Sequence, residues 1–188
     1  MTTPKPDHKS TENLILKYIL LFVVCAFIGW LWEVILFFAR SGEFINRGVL
    51  HGPWLPIYGF GGLGIAVFLQ KFKDHPIIVF FAALIGCGLM EYFTGWYLET
   101  FKGLKWWDYS NVPFNLDGRI CLVSVVCFGV CGLVVTYVLY PVLIRLFNHI
   151  PFHLKKSLCT ILLLCFIGDF IYSSDVPNVG RGITDQLF

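Results

Sequence analysis

The sequence predicts an all-α, polytopic integral membrane helix bundle of about five transmembrane helices, on three observations. Of its 188 residues, 57% are hydrophobic and 14% charged, against about 45–50% apolar and about 25% charged in a soluble domain. The apolar residues come in long runs rather than at strand or amphipathic-helix periods, the pattern of helices surrounded by lipid or by other apolar helices. The few ionisable residues inside those runs gather towards one end of each.

Residues 1–13, "MTTPKPDHKSTEN", are polar, carry two prolines and are expected as a disordered tail. The run Leu14 to Phe38 exceeds a signal-peptide core of about 7–15 residues and lacks a small-residue cleavage site, so it reads as an uncleaved first span. Crossing a bilayer takes about 20 apolar residues at about 1.5 Å each. Trp54 to Gln70, Ile77 to Thr100, Ile120 to Ile144 and Ser157 to Tyr172 approach that length. The second of the five is the weakest, because Pro53 and Pro56 stand at its entrance and glycines crowd its first turns; a short, broken or re-entrant start is expected. A single transmembrane domain, 14–172, thus precedes a short polar tail, 173–188, and no internal repeat is apparent by eye.

The net charge of +2 is small and dispersed, which excludes nucleic acid as a partner. The lipid bilayer is the partner the composition requires. Five spans place the chain ends on opposite sides, with eight Lys and Arg residues on the amino-terminal side and six on the other. The positive-inside rule then favours a cytoplasmic amino terminus in the plasma membrane. The stretch "HGPWLPIYGFGGLG" contains a literal G-x-G-x-x-G at Gly59, Gly61 and Gly64. No strand precedes it and no acidic residue follows at the required distance, so the glycines read as helix-packing positions rather than a nucleotide loop. No P-loop and no H-E-x-x-H is present, the seven cysteines form no C-x-x-C pair, and no cofactor, metal site or catalytic residue is expected.

The chemistry concentrates on the face opposite the amino terminus. Glu33 lies about 24 Å along the first helix from Lys17; Glu91 and Glu99 lie in the second half of the third, Asp169 late in the fifth, and Arg119 opens the fourth. The two loops on that face add Arg47, His51, Asp108, Asn111, Asn115 and Asp117. A charge in hydrocarbon costs several kcal/mol and marks a function or an ion pair, so the pattern predicts a polar cavity open to the far face. Glu91 and Glu99 stand roughly 80° apart around their helix and about two turns apart along it, able to line one cavity without touching. Gly29, four residues before Glu33, leaves a notch for another helix. The cluster "KWWDYS" offers indoles beside a carboxylate, a platform suited to a flat or cationic ligand.

Five stretches, "GWLWE" (Gly29 to Glu33), "NRGVLHGPWLPIYGFGG" (Asn46 to Gly62), "EYFTGWYLE" (Glu91 to Glu99), "WWDYS" (Trp106 to Ser110) and "FNLDGRICL" (Phe114 to Leu122), closely resemble the CmpB family. Its members are labelled type IV permeases of ABC transporters, and it has vertebrate transmembrane relatives. The resemblance runs from about Leu14 to Gly132 and implies an integral membrane protein related to transport. It maps the family motifs onto Glu33, Arg47, Gly52, Pro53, Trp54, Pro56, Tyr58, Gly59, Glu91, Glu99, Trp107, Asp108, Tyr109, Asn115, Gly118 and Arg119.

Together these readings predict a permease-like transport protein for a small cationic or zwitterionic substrate. The substrate-binding candidates are Glu33, Arg47, Trp54, Tyr58, Glu91, Glu99, Trp107, Asp108, Tyr109, Asn115 and Arg119. Arg47 and Arg119 are expected to pair with the acids when no substrate is bound. The partners in view are a separate ATPase subunit or further copies of the chain. The alternatives are a membrane-embedded enzyme acting on a lipid or isoprenoid, with a Glu or Asp as general base, arginines on a phosphate and only His51 available as an additional partner in the far-face loops, and a non-catalytic membrane subunit.

Overall fold

The computed structural model describes residues 8–179. Helix α1, His8–Ser41, begins inside the segment expected as a tail and runs 34 residues without a proline. It ends at Gly42, whose φ of 72° is in the left-handed region and whose N–H reaches the Phe38 carbonyl at 2.9 Å. Helix α2, Pro56–Gly64, takes Pro56 in its first turn, where the missing N–H is no loss. It continues through a wider π-helical turn, Ile65–Leu69, and a tighter one, Gln70–Phe72. Helix α3, Pro76–Lys102, also starts on a proline and ends on a left-handed glycine, Gly103. A small hairpin, β1 (Asn115–Leu116) against β2 (Ile120–Cys121), leads into α4, Leu122–Val134. A second π-helical turn, Val135–Leu139, joins α4 to α5, Tyr140–His149. Pro141 has no N–H for the carbonyl one turn back, and the helix widens just ahead of it. Helix α6, Phe152–Asp175, completes the described bundle.

Four stretches are long and apolar enough to cross a membrane among the described residues: Thr11–Ser41, Pro76–Lys102, Leu122–His149 and Phe152–Asp175. The second apolar segment takes the short, proline-started form expected of it. Its start is fixed by the Leu55 N–H, which donates to the Ala26 carbonyl at 3.0 Å. Ala26 lies about 22 Å below the end of α1, so the loop 42–55 descends beside α1 and α2 starts near mid-depth. That segment therefore crosses half as loop and half as helix. Arg47, Leu50 and Leu55 of its irregular half are buried against protein, the condition under which non-helical backbone is tolerated at membrane depth.

Contacts at the helix ends define two faces. On the near face the start of α1 meets the start of α6, Lys155 Nζ donating to Asn13 Oδ1 at 2.8 Å and Lys156 pairing with Glu12 at 2.6 Å. On the far face lie the ends of α1, α3 and α6 with the loops 42–55 and 103–121. The apolar core sits in the near half, where Leu16, Leu20, Leu21 and Cys25 of α1 pack with Ala66, Leu143, Phe147 and Cys159. Phe81, Ile85, Leu89 and Phe93 form an exposed stripe one turn apart along α3, the surface that lipid covers.

Candidate functional site

The structure divides the candidate residues into an interior group and two far-face loops. In the interior, Gly29 makes the first contact possible. A Cβ there would stand 2.1 Å from Cγ of Tyr58, so only glycine lets α2 seat that ring against α1. The Tyr58 hydroxyl then donates to Glu33 Oε1 at 2.7 Å. On α3, Glu91 is buried and accepts from the hydroxyls of Tyr109 and Ser124, both at 3.1 Å. Ser124 is set by the first turn of α4, where the Cys121 N–H donates to its Oγ and its own N–H points at Cys121 Sγ. Burial holds the Tyr109 phenol far above its ordinary value, and the charges of Glu91 and then Glu33 push it further. Tyr109 therefore stays protonated and feels both carboxylates. Among the described residues no lysine or arginine forms an ion pair with Glu33 or Glu91.

The loop 103–121 is the opposite in character. Arg119 Nε and Nη2 donate to Glu99 Oε2 at 3.1 and 2.8 Å, and Nη1 reaches Asp117 at 3.2 Å and the Tyr92 hydroxyl at 3.4 Å. Tyr92 in turn donates to Asp117 at 2.6 Å. Burial works against the Arg119 charge, but the hydrogen bonds and charge of Glu99 outweigh it and hold the guanidinium above its ordinary value. Lys105 stands 3.7 Å from both Glu99 and Asp108. The Ser110 hydroxyl, more than any other partner, holds the Asp108 carboxyl below the usual carboxylate range. The Trp107 indole donates to the Arg119 carbonyl at 2.8 Å, and Gly95 gives both residues room against α3. Asn115 braces the turn, donating to the Ser110 and Val112 carbonyls and accepting from the Gly118 N–H. The indoles fasten the loop through their N–H groups, Trp106 on the Asn178 carbonyl and Trp107 on the Arg119 carbonyl.

The loop 42–55 is organised around a carboxylate from elsewhere. Asp169 of α6 accepts from the N–H groups of His51 and Gly52 at 3.1 and 2.8 Å and from the Trp54 indole at 2.6 Å. Ser173 Oγ stands 3.1 Å from Asp169 and 3.0 Å from His51 Nδ1. The serine here lies between histidine and acid, whereas an activated nucleophile needs the histidine in the middle. Arg47 is buried, donates to the Trp106 carbonyl at 3.2 Å and lies over the Phe37 ring. Arg47 and Trp54 therefore link the two far-face loops and α6 to each other.

Of the candidates, Glu33, Tyr58, Glu91 and Tyr109 come together in the interior. Glu99, Trp107, Asp108, Asn115 and Arg119 form the loop network above them, and the expected pairing of Arg119 with an acid is present. Sequence reasoning passed over Ser124 as a site residue, although its position three residues after Cys121 at the start of an apolar run is a helix-cap signal. Asp169 was visible as a late acid, but nothing in the sequence pointed to the loop amides it accepts from.

A helix bundle with apolar outer stripes, an ion network at one face and a buried carboxylate, Glu91, inside it is an integral membrane protein of the polytopic class. Residues 20–174 match the family model described as "Putative ABC-transporter type IV", and the chain belongs to that family, the CmpB family. No curated protein and no solved structure matches it.

Proposed function

We propose that the chain is a small membrane transport protein that takes a cation, or the cationic end of a zwitterion, between Glu33 and Glu91. One observation carries this reading: among the described residues, half-buried Glu33 and buried Glu91 have hydroxyl partners only. An ionised carboxylate in hydrocarbon costs on the order of 2.5–3.5 kcal/mol even where local relaxation helps. A pair without a fixed counter-ion is stable when protonated or when a mobile cation sits with it. Exchange between those two conditions is the elementary step of cation transport. The family description points the same way.

In this reading substrate enters from the far face, which is extracellular if the lysine and arginine distribution sets the orientation. Tyr109 closes the path above Glu91. Arg119, bound to Glu99 and Asp117, keeps the loop 103–121 shut until substrate arrives. The energy source is a proton exchanged at the carboxylates or a separate ATPase subunit docked on the near face, and co-purification of an ATPase from a native membrane favours the second.

The test is uptake of radiolabelled rubidium and methylammonium into proteoliposomes holding the full chain. Glu91→Gln and Glu33→Gln should abolish uptake while leaving the protein monodisperse and helical by circular dichroism. Uptake that survives both substitutions unchanged removes the carboxylates from the mechanism.

A further inference from the structure

The helices α1 with α2 and α3 with α4 are the same hairpin built twice. On α2, Gly59 and Gly62 press against Phe22 and Cys25 of α1; on α4, Gly129 and Gly132 press against Phe80 and Ala83 of α3. A Cβ at these glycines would come within 2.6, 2.4, 2.5 and 2.2 Å of those side chains, so each hairpin is closed by the same pair of backbone approaches. The correspondence is regular along the chain. A shift of 58 residues carries Phe22, Cys25 and Glu33 onto Phe80, Ala83 and Glu91, and a shift of 70 carries Gly59, Gly62 and Leu63 onto Gly129, Gly132 and Leu133. The same shift of 70 carries the π-helical turn Ile65–Leu69 onto Val135–Leu139.

Both α1 and α3 run from the near to the far face, so the two copies are parallel and an axis along the membrane normal relates them. Glu33 and Glu91 are then two copies of one carboxylate, each accepting a hydroxyl from the helix that follows it, Tyr58 or Ser124. The π-helical turns are the second duplicated pair, and they touch each other across the axis. Their contact lies beside Leu21, about 18 Å nearer the amino-terminal face than Glu33. Gln70, at the end of the first turn, donates to the Thr136 carbonyl in the second at 3.3 Å. Thr136 is buried, and among the described residues its hydroxyl has no partner. Single π-helical turns are frequent at functional sites.

We propose that the transport path follows the axis between the two hairpins and is closed in its near half by the contact of the π-helical turns, with Gln70 and Thr136 as the inner gate. The proposal rests on the transport reading above and adds the route and a second polar position on it. When the turns part, the Thr136 hydroxyl and the Gln70 amide face the path and solvate the passing cation.

Thiol labelling tests the gate independently of transport. Thr136→Cys and, as a lipid-facing control, Val138→Cys are treated in proteoliposomes with a charged, membrane-impermeant methanethiosulfonate and read residue by residue by mass spectrometry. Labelling at 136 and not at 138 is expected, and rubidium should slow it. Gln70→Leu, which removes the hydrogen bond to the Thr136 carbonyl and leaves that of the Tyr137 hydroxyl to the Lys73 carbonyl, should raise labelling of Thr136→Cys about fivefold, the shift that one net hydrogen bond produces. Equal labelling at 136 and 138, unaffected by Gln70→Leu, overturns the gate. The carboxylate reading falls separately, on Glu33→Gln and Glu91→Gln.

Discussion

Glu91 and Glu99 stand about two turns apart on α3 and keep opposite company. Glu99, a third exposed, is held by a guanidinium and faces a lysine. Glu91, buried, is held by a tyrosine and a serine. Depth accounts for the difference. At the headgroup level a fixed ion pair is hydrated and costs little, so Arg119 and Lys105 serve as fasteners. In the interior a fixed Lys or Arg would bind the acid permanently, whereas hydroxyls satisfy a carboxylate and still yield to a mobile cation. The same helix thus carries an ion-paired acid and, eight residues towards the near face, the acid proposed to take the cation.

The largest effect on the interior group should come from Gly29→Ala. Its Cβ would meet Cγ of Tyr58 at 2.1 Å, the rigid end of that side chain, so α2 must move rather than a flexible tip. Overpacking of this kind costs about 1–3 kcal/mol. Thermal unfolding in detergent should show that loss together with loss of uptake, since Tyr58 leaves Glu33. An unchanged melting temperature would mean that α2 is not locked on α1 at this notch.

A smaller change sharpens the comparison. Tyr109→Phe removes one of two donors to Glu91 and leaves the ring, costing about 1 kcal/mol. That loss should be the same at low and high salt because no ion pair is involved. Arg119→Lys, which cannot keep both bonds to Glu99, should cost below about 1 kcal/mol given the partial exposure of the pair. Limited proteolysis of the loop 103–121 should detect it at low salt, and the difference from wild type should vanish near 1 M salt, where the screening length is about 3 Å. A salt-dependent Tyr109→Phe, or a salt-independent Arg119→Lys, breaks the division into interior and surface acids.

Much of this was legible in the sequence. Long apolar runs marked the spans, Pro53 and Pro56 marked the short second helix, and the gathering of acids at one end of each run marked the far face. The split between Glu91 and Glu99 was not legible, because it depends on Tyr109 descending from a loop and on Arg119 turning back over α3. Both are contacts between residues about 20 apart in sequence. The duplication escaped inspection because the two helices of the hairpin shift by different amounts, 58 and 70 residues, so no single period aligns them. What is repeated is a set of close approaches, carried by a few glycines and one acid rather than by overall likeness.

The smallest expected effect is a pH response confined to the loop. Asp108 has its carboxyl held below its ordinary value of 3.8, first by the Ser110 hydroxyl and more weakly by Lys105. A group depressed in the folded state stabilises that state above its ordinary value and loses the contribution as pH falls through the folded value. Acidification from about pH 5 to about pH 2 should therefore loosen the 105–110 turn while the helices persist. Emission from Trp106 and Trp107 reports the change, against unchanged far-ultraviolet circular dichroism. Asp108→Asn should flatten that fluorescence step, since the neutral side chain cannot titrate. A step of full size in Asp108→Asn would assign the response to another acid of the network, with Glu99 and Asp117, the two that hold Arg119, next to be replaced.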